Sequence, residues 1–147
     1  MTRWQRPAVV YTTAVIVNYP WEMTQAVLFA PMGNVLQGAW RCFVASLGDG
    51  VLVLGIFAVG WVAFRRAAWA DRPGAAGYSL MLATGFVIAV FVERLALKQG
   101  RWSYEPEMPV IPGLGVGVVP ILQMLLLPPL IFHVSTRWLH GRSRDRK

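Results

Sequence analysis

The chain has 147 residues, of which 56% are hydrophobic and 14% charged, with a mean hydropathy of +0.49 and a formal net charge of +7. A soluble domain carries about 25% charged residues; here the few charges sit in short clusters between long apolar runs, which argues for a polytopic all-α membrane protein. The positive balance does not point to nucleic acid, because the basic residues flank apolar runs instead of lining one face, and no nucleic-acid-binding motif is present.

The first predicted span runs from about residue 7 to 30. Arg3 and Arg6 precede it, as in a signal peptide, but no small-residue cleavage site follows promptly, so it reads as a retained span. Inside it lies "NYPWEMTQ", residues 18–25, which interrupts an otherwise apolar run. Asn18, Glu22 and Gln25 follow an i, i+4, i+7 spacing and share one helical face with Tyr11. Pro20 cannot donate to the Ile16 carbonyl, so a kink is expected there.

The second span is predicted over 42–64. Cys42, Ser46 and Asp49 share a face, and Gly48 and Gly50 flank the acid. Cys42 is the sole cysteine, which excludes an intramolecular disulfide and a Cys-based zinc site. A basic, Pro/Gly-punctuated turn, "RRAAWADRPGAAG" (65–77), leads to a third span over 78–97 that ends near Glu93 and Arg94. Next comes "KQGRWSYEPEMPVIPG" (98–113), whose Pro106, Pro109 and Pro112 preclude a regular helix. It is expected to fold over one end of the bundle as an irregular extracytoplasmic cap. A fourth span over 113–138 carries Gln123 after Pro120, a second bend at Pro128 and Pro129, and two histidines, His133 and His140. No linker, low-complexity tract or repeat divides the chain, so 1–147 reads as one four-helix membrane domain.

Charge sets the orientation. Arg3, Arg6, Arg65, Arg66, Arg72, Arg137, Arg142, Arg144, Arg146 and Lys147 fall on one side, against Arg41, Lys98 and Arg101 on the other. The positive-inside rule then puts both termini in the cytoplasm of an inner-membrane protein with an even number of spans. In that orientation Glu22, Asp49 and Glu93 all lie in the outer half of the membrane, beneath the 98–113 segment.

That shared depth makes a candidate site. A carboxylate near the centre of an inserted helix costs about 2.5–3.5 kcal/mol on insertion scales. Three of them should face one another, a watered cavity or a ligand, not lipid. Glu22, Asp49 and Glu93 are the candidate catalytic groups; Asn18, Trp21, Gln25, Arg101, Trp102, Tyr104 and Gln123 are the candidate substrate-binding groups. Each has a structural alternative: the amides as interhelical glue, Asp49 as a helix cap, Glu93 with Arg94 as a snorkelling ion pair, Trp102 and Tyr104 as interfacial aromatics. The histidines, seven residues apart on one span and away from the carboxyls, make a weak metal or haem signal, and no metal or cofactor is expected. No Walker loop, nucleophile elbow or HExxH occurs, and "GLGVGVVP" lacks the preceding strand of a dinucleotide fingerprint.

Together "NYPWEMTQ", "ASLGDG" and "GRWSYEPEMPVIPGLG" resemble a group of small bacterial integral-membrane proteins of unknown function. The resemblance spans most of the chain and implies no activity. The paired-carboxylate proline motif of the small membrane lycopene cyclases is absent.

The residues themselves fit three functions. The first is an acid–base enzyme, an isomerase or cyclase, acting on an isoprenoid-like lipophilic substrate. A carboxylic acid that keeps its proton inside an apolar bundle can protonate an alkene, and aromatic faces steady the resulting cation. The second is a non-catalytic small subunit of a larger membrane complex, holding a lipid, quinone or pigment or bracing a neighbour. The third is a proton or small-solute conduit, which needs polar residues through the full depth; here they thin out below Gln123. The expected partner is a membrane lipid or lipophilic small molecule, or other membrane subunits.

Overall fold

The structure, a computed structural model, describes residues 4–31 and 33–144. Among them are four long helices: α1 (Gln5–Gln25), α2 (Val35–Phe64), α3 (Gly74–Lys98) and α4 (Val118–Arg144). Arg3, Arg146 and Lys147, counted in the charge bias, lie outside the described residues, as does Met32.

Local chemistry explains where the helices depart from the predicted spans. α1 carries Pro7 in its first turn, where no intrahelical N–H is needed, and stays helical through Pro20. It stops at Gln25, five residues before the predicted end, where the chain tightens into a 3-10 turn over Ala26–Leu28 and then extends at Phe29. α2 begins at Val35, seven residues before the predicted start. Asn34 and Gln37 form a reciprocal capping box there, with Gln37 N donating to Asn34 Oδ1 at 2.9 Å and Asn34 N donating to Gln37 Oε1 at 3.0 Å. α4 starts at Val118, after a two-residue antiparallel pairing of Val110–Ile111 with Val116–Gly117.

α2, α3 and α4 are each long and apolar enough to cross a bilayer. α1 spans about 32 Å at 1.5 Å per residue, but its polar face leaves it less apolar than the others. The helices close into a ring in which α1 lies between α2 and α4, α3 packs on α4, and α2 meets α3 most loosely. At Gly85 a Cβ would collide with the Met124 carbonyl oxygen, so the closest α3–α4 approach depends on that glycine.

One end of the bundle is filled by Trp69, from the short 3-10 turn Trp69–Asp71. It is fully buried against Phe57, Phe64 and Phe132, and its Nε1 donates to the Phe57 carbonyl at 3.0 Å. At the opposite end the interior turns polar: Asn18, Gln25, Ser46, Glu93 and Gln123 are buried. Meanwhile Ile16, Val51, Val62, Val87, Phe91 and Leu126 point outward. An apolar exterior around a partly polar interior suits hydrocarbon, where exposed apolar side chains cost nothing and polar ones must find partners within.

Candidate functional site

The polar face of α1 meets its partners at Gln123. Its Nε2 lies 2.8 Å from Asn18 Oδ1, 2.9 Å from Glu22 Oε1 and 2.9 Å from Asp49 Oδ2. Its Oε1 accepts from Gln25 Nε2 at 3.0 Å, and the same Gln25 nitrogen donates to Glu22 Oε1 at 2.6 Å. One α4 amide therefore ties together three residues of α1 and one of α2. Its nitrogen carries two hydrogens and faces three acceptors, so one hydrogen is shared between two of them.

The helices reach this arrangement by close approach. Tyr11 lies against Gly50, where a Cβ would come within 2.8 Å of the ring, and its hydroxyl reaches the Leu47 carbonyl at 3.4 Å. Ser46 satisfies its hydroxyl on the Cys42 carbonyl at 2.7 Å, and Cys42 Sγ reaches the Glu22 carbonyl at 3.6 Å. Trp21 donates from Nε1 to Gln25 Oε1 at 3.3 Å, which fixes the orientation of the second amide. The four amides and acids at Asn18, Gln25, Gln123 and Glu93 are buried, whereas Glu22 and Asp49 are half-buried.

Glu93 belongs to a second, adjoining cluster. Its Oε2 accepts from the Tyr104 hydroxyl and from Trp102 Nε1 at 3.4 Å, while the Tyr104 oxygen accepts from Gly117 N at 3.0 Å. Burial, together with the Glu93 carboxylate beside it, pushes the Tyr104 hydroxyl well above its usual range, so it stays a donor. Glu93 stands within electrostatic reach of Glu22 and Asp49, which makes the three carboxyls one field.

The segment around Tyr104 is stitched to the α1–α2 connection. Ala30 N donates to the Ser103 carbonyl and Glu105 N to the Leu28 carbonyl, each at 3.0 Å, and Phe29 packs edge-on against Tyr104 and Trp102.

Of the ten candidate residues, nine are thus held in these two linked networks. Arg101 is not: it is exposed and stands 6.0 Å over the Trp102 ring. Among the described residues no three His, Cys, Asp or Glu side chains converge as metal ligands. Two cavities lie elsewhere, one of about 440 Å³ at the first turn of α2 and one of about 140 Å³ beside Asp71.

Sequence reasoning passed over Asp71. Arg6 grips it with two bonds, at 2.6 and 2.9 Å; Thr136 Oγ1 adds a third at 3.3 Å, and His140 Nε2 stands 3.5 Å away. Burial pushes the carboxyl up, but the hydrogen bonds and charge of Arg6, with His140, outweigh it and hold Asp71 below its ordinary value. The signal was present: Asp71 is the one acid in the basic turn 65–77. It joins the first helical turn of α1 to α4.

Comparison with family models, with curated proteins and with solved structures yields no match.

Proposed function

We propose that the chain is a four-span membrane enzyme of the isomerase or cyclase type, working by acid–base chemistry on an isoprenoid-like lipophilic substrate. In this reading α1 is the fourth span, both termini are cytoplasmic in an inner membrane, and the 98–113 segment caps the outer end. The observation that carries it is the meeting of Glu22 and Asp49 at one amide, Gln123, while both acids stay half-buried. The pair holds one proton between its two carboxyls. Transfer of that proton to one alkene carbon leaves a cation at the other, steadied by the faces of Trp21, Trp102 and Tyr104. The vacated carboxylate then removes a proton from a neighbouring carbon, so the net change is a shifted double bond or a closed ring. Glu93, held by Trp102 and Tyr104, adds negative field beside the cation.

The test is incubation of the purified protein in micelles with linear polyisoprenoids in deuterated water. Deuterium should appear in an isomerised product, and Glu22→Gln should abolish it while the helical circular dichroism is retained. Equal incorporation by Glu22→Gln removes Glu22 from the mechanism.

A second reading, a non-catalytic subunit of a larger complex, is favoured by one feature. The amides of Asn18, Gln25 and Gln123 spend their hydrogen bonds on one another and on groups of the surrounding helices. A stoichiometric protein partner, with no bound lipophile and no turnover, would establish it.

A further inference from the structure

The end of the bundle opposite the carboxyl networks holds the smaller cavity, of about 140 Å³. Its apolar floor is Met81, Pro129 and Phe132, and its rim carries Tyr78 from α3 with His133, Thr136 and Arg137 from α4. Asp71 also lines it, but Arg6 and Thr136 already occupy both its oxygens. What the rim offers a ligand is therefore donors: the Arg137 guanidinium, an imidazole and a phenol. Arg65, Arg66 and Arg72 on the neighbouring turn add to the positive field.

From this geometry we infer a site for a phosphoryl anion between the ends of α3 and α4, gripped by Arg137 with help from His133 and Tyr78. The volume decides the size class. It holds roughly four or five waters, enough for a phosphoryl group and its bridging waters and well short of the 300–1,000 Å³ of a typical organic-ligand pocket. A planar guanidinium over a shallow pocket matches phosphate oxygens two at a time. The exposed Tyr78 and the basic surroundings put the site at the depth of lipid headgroups, so the phosphoryl group comes either from an anionic lipid or from free phosphate. The inference rests on the membrane reading of the chain but not on its chemistry at Glu22.

The experiment is native mass spectrometry and thermal unfolding of the full chain in nanodiscs of phosphatidylcholine alone or with phosphatidylglycerol, with and without millimolar inorganic phosphate. Recovery of folded protein in nanodiscs tests the membrane reading first and separately. Retention of phosphatidylglycerol, weakened about fivefold in Arg137→Gln and only partly restored in Arg137→Lys, supports a lipid source. Stabilisation by inorganic phosphate in the phosphatidylcholine discs, lost in the same variant, supports free phosphate. Arg65→Gln, away from the cavity, serves as the charge control. If Arg137→Gln and Arg65→Gln weaken binding equally, or neither does, the site is overturned. Arg137 is exposed, so its variants retain the packed core.

Discussion

Replacing Gln123 by leucine removes, in one step, the amide on which three helices converge. The side chain contacts Asn18, Glu22, Gln25 and Asp49. Interhelical hydrogen bonds in membrane proteins average about 0.6 kcal/mol, with single values up to about 1.7, so four of them sum to roughly 2.4 kcal/mol. A further ~1 kcal/mol follows because Asn18 is fully buried and its Oδ1 is left without a donor. Leucine fills nearly the volume of glutamine, so the cavity contribution is small. The expected loss is about 3–4 kcal/mol. It is read by titrating micelle-bound protein with sodium dodecyl sulfate and following tryptophan fluorescence. Gln123→Glu, which keeps the shape but loses both N–H donors, should also be destabilised. A double-mutant cycle with Asn18→Ala should return a coupling of about 0.6–1.7 kcal/mol. If Gln123→Leu unfolds within ~0.5 kcal/mol of the parent, the amide is not the hub and the convergence described above is wrong.

The Arg6–Asp71 lock gives a pH signature. Because the folded Asp71 is held below its unfolded value of 3.8, the unfolded chain binds more protons there, and this contribution to stability is present above 3.8 and lost as pH falls through the folded value. Asp71→Asn should therefore be less stable than the parent at pH 6 and converge with it in strong acid, measured by thermal unfolding across pH. Two glycines predict opposite signs. Gly85→Ala meets the Met124 backbone and should cost about 1–3 kcal/mol, whereas Gly48→Ala meets nothing within 4 Å and should gain about 0.4–1 kcal/mol. Thermal unfolding of both variants checks the pair. Tyr104→Phe keeps the ring against Phe29 but loses the bonds to Glu93 and Gly117, so limited proteolysis within 99–117 should accelerate several-fold.

The shared face of Asn18, Glu22 and Gln25 was legible because a helix repeats every 3.6 residues, and it emerges intact at Gln123. The gathering of Glu22 and Asp49 at Gln123, with Glu93 close by, was legible because spans of alternating direction bring those three span ends to one end of a bundle. Helix ends were less so: hydropathy alone could not see that Asn34 and Gln37 would start α2 seven residues early, since a capping box is a local hydrogen-bond pattern inside a stretch read as loop. Glu93 was read beside Arg94 as a possible ion pair. Instead it pairs with Trp102 and Tyr104, nine and eleven residues further on, because the irregular chain after α3 turns back beside Glu93 along a path that no hydrophobic period encodes. Asp71 was missed for a different reason: its partner Arg6 is 65 residues away.

The burial pattern bears on why the acids are there at all. Asn18, Gln25 and Gln123 lie deep and make amide bonds that by themselves join α1 to α4. Glue of that kind needs no carboxyl group, and each acid adds about 2.5–3.5 kcal/mol to the cost of inserting its helix. Were Glu22 and Asp49 merely further glue, asparagine or glutamine would hold the same bonds at lower insertion cost, and burial would protect them. They are instead the more exposed members of the network, held from behind by buried amides. Such a layout fixes their positions while leaving part of each side chain accessible. This asymmetry, more than the polarity of the cluster, favours an acid pair that meets a ligand. It also gives a direct discriminator: Glu22→Gln with Asp49→Asn should raise stability by a few kcal/mol under either reading, and should abolish turnover only if the acids are the reactive pair.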